Sequence, residues 1–537
     1  MKIFFVIMLI SFSALLQAQQ KPNQQENTAA GQNDGQRQGQ RVAPGTGGEQ
    51  ESGMEQAVAG AVAQLPPLPA GPYKPTWESI RVNYQYPEWF RNAKFGIYMH
   101  WGLYSVPAKQ SEWYFRHMYG NQEVRNWHIE KFGPLKVFGY KDFIPMFKAE
   151  KYDPAKWAAM FKDAGARYVA LTAEHHDGFS LWDSKINKRN SVNMGPRRDL
   201  VGDLANAVRK EGMVFGVTNH SMENFTFLQP ENLPQNPRET TDLYDPEWAD
   251  FYHVADRSIE ARTVFYRDWV LKNIELIDKY KPSMLWFDNG VNTRTLDPLK
   301  LYVAAYYYNR AKEWGRQVTI STKGQAYLAG SVLDHERQSR AEQEIYPDPW
   351  QVDESVHSRW GYLTETNYLN VDAIIWRIVE NTSKNGNLLL NFSPMADGTF
   401  NQVQIDLLKG IGIWMRQNGE GIYDTQPWVM YGEGPSCKRE QRPNQPPYES
   451  TDFRFTRKGN VLYVFVMAWP RDARSTISSL ATGAKGISGM ITRVTMLGAN
   501  DNLKFKQDAA GLHVTLPQQK PGESIWTLKI EGLKLKE

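Results

Sequence analysis

The chain has 537 residues, 41% hydrophobic and 23% charged, with a formal net charge of +3. This is globular composition with room for two or three domains, and no basic run with interleaved aromatics points to nucleic acid. The single cysteine, Cys437, allows no intrachain disulfide, and a zinc site is not expected from so few ligand clusters.

Met1-Lys2, the apolar run Ile3 to Ile10 and the small Ala18 read as a secretory leader over 1–18, predicting export to a periplasmic or extracellular compartment. The run is too short to span a membrane comfortably, and no other stretch is long enough. Residues 19–70 are rich in Gln, Gly, Asn and Pro and read as a disordered tether. Over 71–430, helix alternates with strand. Asp153-Pro154 predicts a helix start, with Trp157, Met160, Phe161 and Ala164 on one face and Gly165 as its stop. Asp199 opens a second helix, closed by Gly212. Further helices are expected over 263–280, 299–314 and 371–384. Apolar runs at 94–99, 166–174, 213–217, 283–287, 318–321 and 388–392 read as strands. Repeated α-then-β units over this length predict a (β/α)8-like TIM barrel. A doubly wound open sheet is the alternative, weakened by the lack of a Gly-rich phosphate fingerprint after the first strand. Over 431–537 short strands replace helices, predicting a C-terminal β-sandwich.

The apolar runs end in polar residues. His100, His175-His176-Asp177, His220 and Asp288 each follow one, which is the catalytic address of a parallel barrel. Asp334-His335-Glu336-Arg337 lies about fifty residues beyond Asp288. Glycoside hydrolysis needs two carboxyl groups, one ionised and one protonated. Asp288 and Glu336, expected at the ends of consecutive strands, make such a pair. Neutral imidazoles exchange hydrogen bonds with sugar hydroxyls, and the 18 Trp and 26 Tyr supply rigid faces for a ring. Each residue also has a plain structural reading. A strand-end Asp often only caps a helix, and Glu336 sits among charges that suit a solvated loop. Glu112-Trp113-Tyr114 could be loop packing.

Taken together, Trp89 to Ile97, His100-Trp101-Gly102, Glu112-Trp113-Tyr114, His175-His176-Asp177-Gly178-Phe179, Leu285-Trp286-Phe287-Asp288, Trp360-Gly361-Tyr362, Asn387 to Asn391 and Gly412-Ile413-Trp414 resemble the retaining α-L-fucosidases of glycoside hydrolase family 29. The resemblance implies a catalytic barrel, a β-sandwich and double displacement without cofactor or metal. It places Asp288 as nucleophile and Glu336 as general acid/base, with Asp334 the alternative and Glu342, Glu344 and Glu354 weaker ones. His100, Glu112, Trp113, His175 and His176 match positions that grip fucose hydroxyls, and Trp360 one near the C5 methyl. The chain departs from the pattern at His220, where a tyrosine is common, and at Lys323, where an arginine is common. The implied substrate is a terminal α-L-fucosyl residue of a glycan. A related sugar such as L-galactose, a sulfated fucose met by Lys323, and a non-catalytic sugar-binding protein are the alternatives.

Overall fold

The computed structural model describes residues 47–324, 326–339, 342–437, 448–499 and 501–536. The expected leader and most of the expected tether lie outside them. Eight parallel strands close into a barrel: β1 Phe95–Met99, β2 Tyr168–Glu174, β3 Val214–Asn219, β4 Met284–Phe287, β5 Thr319–Lys323, β6 Ser331–Asp334, β7 Trp350–Ser355 and β8 Gly386–Asn391. Strand β8 pairs back onto β1, with Phe95 opposite Leu388. Because all eight run the same way, their C-terminal ends form one mouth.

The period of two sorts the side chains of each strand. Ile97, Val169, Leu171, Phe215, Val217, Leu285, Ile320, Val352 and Leu390 join the main core. Tyr98, Tyr168, Ala170, Met284, Val332 and Leu389 form a separate cluster inside the barrel. Gly96 makes that interior possible, since a Cβ there would lie 2.5 Å from the Tyr168 ring. The outer helices start where the sequence offers caps. Asp153, Asp199 and Asn370 accept from the backbone N–H groups of Lys156, Gly202 and Ala373 at 3.0, 2.8 and 2.8 Å.

Two expectations are corrected. The tether expected to reach residue 70 contains a helix, Gly47–Val62. Its Ala57, Val58 and Ala61 are buried, so small apolar residues at helical spacing outweigh the polar composition around them. Asp288 and Glu336 do not follow consecutive strands. Asp288 follows β4, Glu336 lies just past β6, and β5 runs between them.

After the barrel come antiparallel strands β9 Gly432–Glu433, β10 Phe453–Lys458, β11 Val461–Val466, β12 Arg474–Ile477, β13 Ile487–Met496, β14 Phe505–Asp508, β15 Gly511–Thr515 and β16 Trp526–Leu535. They form a five-stranded sheet, β13-β16-β11-β10-β9, and a three-stranded sheet, β12-β15-β14. Phe455, Val464, Val494 and Leu528 from the first share one core with Ile477, Leu512 and Val514 from the second, as in a sandwich.

Candidate active site

Asp288 sits one residue beyond β4, at the barrel mouth. Its Oδ2 accepts from His220 Nδ1 at 2.9 Å and lies 3.4 Å from His176 Nε2. Its Oδ1 accepts from Lys323 Nζ at 2.6 Å. Burial alone would raise this carboxyl. The Lys323 ammonium, His220 and the His176 bond overcome that and hold it well below the usual carboxylate range.

His220 owes its orientation to the barrel interior. Its Nε2 lies 2.8 Å from the Tyr98 hydroxyl and 3.0 Å from Thr218 Oγ1. Burial pushes the ring down to about 4, so it is neutral near pH 7. Its one proton is on Nδ1, pointed at Asp288, and Nε2 accepts from Tyr98. His100 donates from Nδ1 to Asn391 Oδ1 at 3.0 Å, which leaves Nε2 as an acceptor. Burial, then His220, hold His100 well below its ordinary value. His175 is held low by burial and the three neighbouring imidazoles. His176 differs. Burial lowers it, but the carboxylates of Glu223 and Asp288 outweigh burial and raise it. Glu223 Oε2 is 3.6 Å from His176 Nδ1.

Lys323 ends β5 and reaches both neighbours. The same Nζ that contacts Asp288 lies 2.7 Å from Glu336 Oε2. The two contacts together cap the separation of those oxygens at the retaining gap of ~5–5.5 Å. Glu336 Oε1 accepts from Trp360 Nε1 at 3.2 Å. The Trp360 ring packs against His100 at 5.1 Å and under the Arg337 guanidinium at 4.6 Å. Glu112 Oε2 accepts from the backbone N–H groups of Trp360 and Gly361 at 2.9 and 3.1 Å. Trp113 meets His176 edge-on at 5.9 Å.

The mouth thus brings together Asp288, Glu336, His100, Glu112, Trp113, His175, His176, His220 and Trp360. Asp334, the alternative acid, is buried under the mouth. Its Oδ2 accepts from Trp286 Nε1 at 2.8 Å and from Gln351, and its Oδ1 from the Asp353 backbone. Glu342 pairs with His335, and Glu354 with Arg377. Lys323 spends its charge on two protein carboxylates, which weakens its expected role towards a sulfated sugar. Sequence reading missed Tyr98 and Glu223. Tyr98 hides inside an apolar run, and Glu223 falls in a short irregular turn. His100, His175 and His220 offer nitrogens within 4.8 Å of one another, as do His176 and His220 with the Asp288 carboxylate. His220, common to both groups, is already engaged through both nitrogens: Nε2 accepts from the Tyr98 hydroxyl and Nδ1 donates to Asp288.

A closed parallel barrel whose mouth holds two carboxylates at this spacing, walled by imidazoles and tryptophan, is the architecture of a barrel glycoside hydrolase. A family model described as alpha-L-fucosidase matches residues 61–420, and one described as alpha-L-fucosidase C-terminal domain matches 445–531. The tissue alpha-L-fucosidase of Rattus norvegicus is 31% identical over 496 residues, spanning 88% of this chain and 95% of the rat protein. That of Homo sapiens is 29% identical over 473 residues, spanning 86% and 92%. The structure of Thermotoga maritima alpha-fucosidase in complex with fucose superposes with a TM-score of 0.65 at 30% identity, covering 86% of this chain and 100% of that one. The same enzyme in complex with a mechanism-based inhibitor also superposes at 0.65. The chain belongs to the α-L-fucosidase family, glycoside hydrolase family 29.

Proposed function

We propose that the protein is an exo-acting retaining α-L-fucosidase in which Asp288 is the nucleophile and Glu336 the general acid/base. One observation carries the assignment: Lys323 Nζ touches an oxygen of each at 2.6 and 2.7 Å, which keeps the pair within retaining distance. Asp288 is ionised and aimed by His220. It attacks the anomeric carbon while Glu336, at the more open side of the mouth, protonates the leaving oxygen. Water, deprotonated by Glu336, then cleaves the fucosyl ester from the same face, and the configuration is retained. His100 and His175, both neutral, exchange hydrogen bonds with ring hydroxyls. His176 and Trp113 flank them, and Glu112 holds Trp360 as an apolar wall for the C5 methyl. Chain export through the leader over 1–18 belongs to the same proposal, supported by the charged and apolar pattern of that segment.

An NMR time course on a panel of terminal α-L-fucosides tests the reading, because it reports linkage and anomeric outcome together. The first-formed sugar should be α-L-fucose; β-L-fucose would refute the retaining assignment. Glu336→Ala should slow poor leaving groups far more than activated aryl fucosides, with azide restoring part of the turnover. Uniform slowing without azide rescue would move the acid/base elsewhere.

A further inference from the structure

We propose that Lys323 is a positioning residue that serves the two half-reactions unequally: its charge faces the ionised Asp288 in the first, while it gives the protonated Glu336 only a hydrogen bond, and it turns onto the ionised Glu336 in the second. The inference rests on the assignment of Asp288 and Glu336 above. Lys323 stands at the end of β5, the strand between the two that carry the carboxylates. Its Nζ is 2.6 Å from Asp288 Oδ1 and 2.7 Å from Glu336 Oε2. It also lies 5.2 Å from the centroid of the Trp286 ring. A lysine suits such a place, because one compact nitrogen with three donors can serve two oxygens in different planes.

The chemistry changes what this nitrogen sees. When Asp288 bonds to the anomeric carbon, its carboxylate becomes an ester and loses its charge. A third carboxyl, Asp353, lies near Lys323. Burial and the neighbouring Asp334 push it well above the ordinary range, which disfavours its charged form and weakens its pull on the ammonium. It makes no ion contact with Nζ, whose ion contacts among the described residues are Asp288 and Glu336. Among the described residues, Glu336 is then the one anionic oxygen left in contact with Lys323. At that stage Glu336 must accept a proton from water. The water oxygen bonds to the anomeric carbon, the carbon–Asp288 bond breaks, and its electron pair returns to Asp288. As that charge returns, Lys323 is placed to receive it. The lysine therefore holds the base during attack and stabilises the departing carboxylate.

Three full-length variants test this in pre-steady-state experiments with an activated aryl fucoside. In Lys323→Met, ester hydrolysis should become limiting. A burst approaching one aryl alcohol per site should precede a steady-state kcat reduced about 10²-fold, with KM falling in parallel. Azide, which attacks without giving up a proton, should restore the part of the turnover lost through Glu336, though not the part lost at the departing Asp288. Lys323→Gln keeps a hydrogen-bond donor without the charge. It should behave the same way, and it carries the test if the methionine variant does not fold. Lys323→Arg should recover most of the wild-type rate. A variant lacking both burst and azide response, with kcat and kcat/KM lowered equally, would overturn the proposal and leave Lys323 a structural or first-step residue. Wild-type kinetics in Lys323→Met would overturn it too. Glu336→Ala separates this failure from the larger one: if it shows no azide rescue, the acid/base assignment itself falls, whatever Lys323 does.

Discussion

Asp288 is poised by groups that each make one directional contact, so single changes should register in its titration. Lys323 and His220 contact it directly, His176 lies at 3.4 Å, and Glu223, His175 and His100 stand behind them. His220→Phe keeps a flat ring and removes the Nδ1 donor. The carboxylate then loses a partner that lowers its pKa, and its value rises towards the ordinary range. As the proposed nucleophile, Asp288 must be ionised, so activity is lost first on the acid side. The acid limb of kcat/KM should move to higher pH, with an overall loss of about 10–100-fold. An unmoved limb would show that His220 orients Asp288 without stabilising its charge. His100, His175, His176 and Asp288 were legible in the sequence because each ends an apolar run. The bridge from Asp288 through Lys323 to Glu336 was not, because it depends on which strand lies between which. Tyr98 was equally hidden: its inward direction follows from strand period, but its hydroxyl finds His220 only after the barrel closes.

At the scale of elements, β6 and β7 escaped sequence reading for a physical reason. Strand β6 has four residues, and β7 carries Gln351 and Asp353 at alternate positions. Inside a barrel beneath an active site, inward positions bind one another through hydrogen bonds instead of apolar contact, so the usual hydrophobic signal fades. The segment at 360–361 shows the opposite case, in which two legible motifs explain one another. Glu112-Trp113 and Trp360-Gly361 were read separately, and one carboxylate joins them. The fit is tight, since a Cβ on Gly361 would lie 2.8 Å from the Tyr104 ring. Glu112→Ala would leave two backbone N–H groups without their acceptor, at about 1–3 kcal/mol each where they stay dry. Amide exchange around 358–362 should accelerate and kcat/KM for fucosides should drop, while Glu112→Gln, which keeps a carbonyl acceptor, should lie between. Unchanged exchange in the alanine variant would mean that Trp360 is held by Glu336 and Arg337 instead.

Across the whole molecule, the barrel and the C-terminal sheet meet through buried charge. Glu380, on helix Val371–Ser383, accepts from Lys384 Nζ at 2.9 Å through Oε1 and from Arg454 Nε on β10 at 2.8 Å through Oε2. Arg454 also donates to Ser436 Oγ at 3.1 Å and lies over the Tyr431 and Tyr448 rings. Helix Val371–Ser383 leads through Lys384 into β8, whose Asn391 orients His100, so this cluster anchors an element that reaches the mouth. A buried pair is costly to break because it strands a charge, by about 3–5 kcal/mol when one partner is removed. The two ways of breaking this one are not equivalent. Arg454→Met leaves Glu380 still paired with Lys384, so its loss should fall at the low end. Glu380→Gln leaves Lys384 and Arg454, its buried cations among the described residues, facing a neutral amide, and should cost more. The double variant removes one of those cations and should recover part of the Glu380→Gln loss, the non-additivity expected of contacting residues. Thermal and urea unfolding of the four proteins would check the order. If Arg454→Met proved the more damaging single change, the guanidinium's packing over Tyr431 and Tyr448, rather than its charge, would be what joins the sandwich to the barrel.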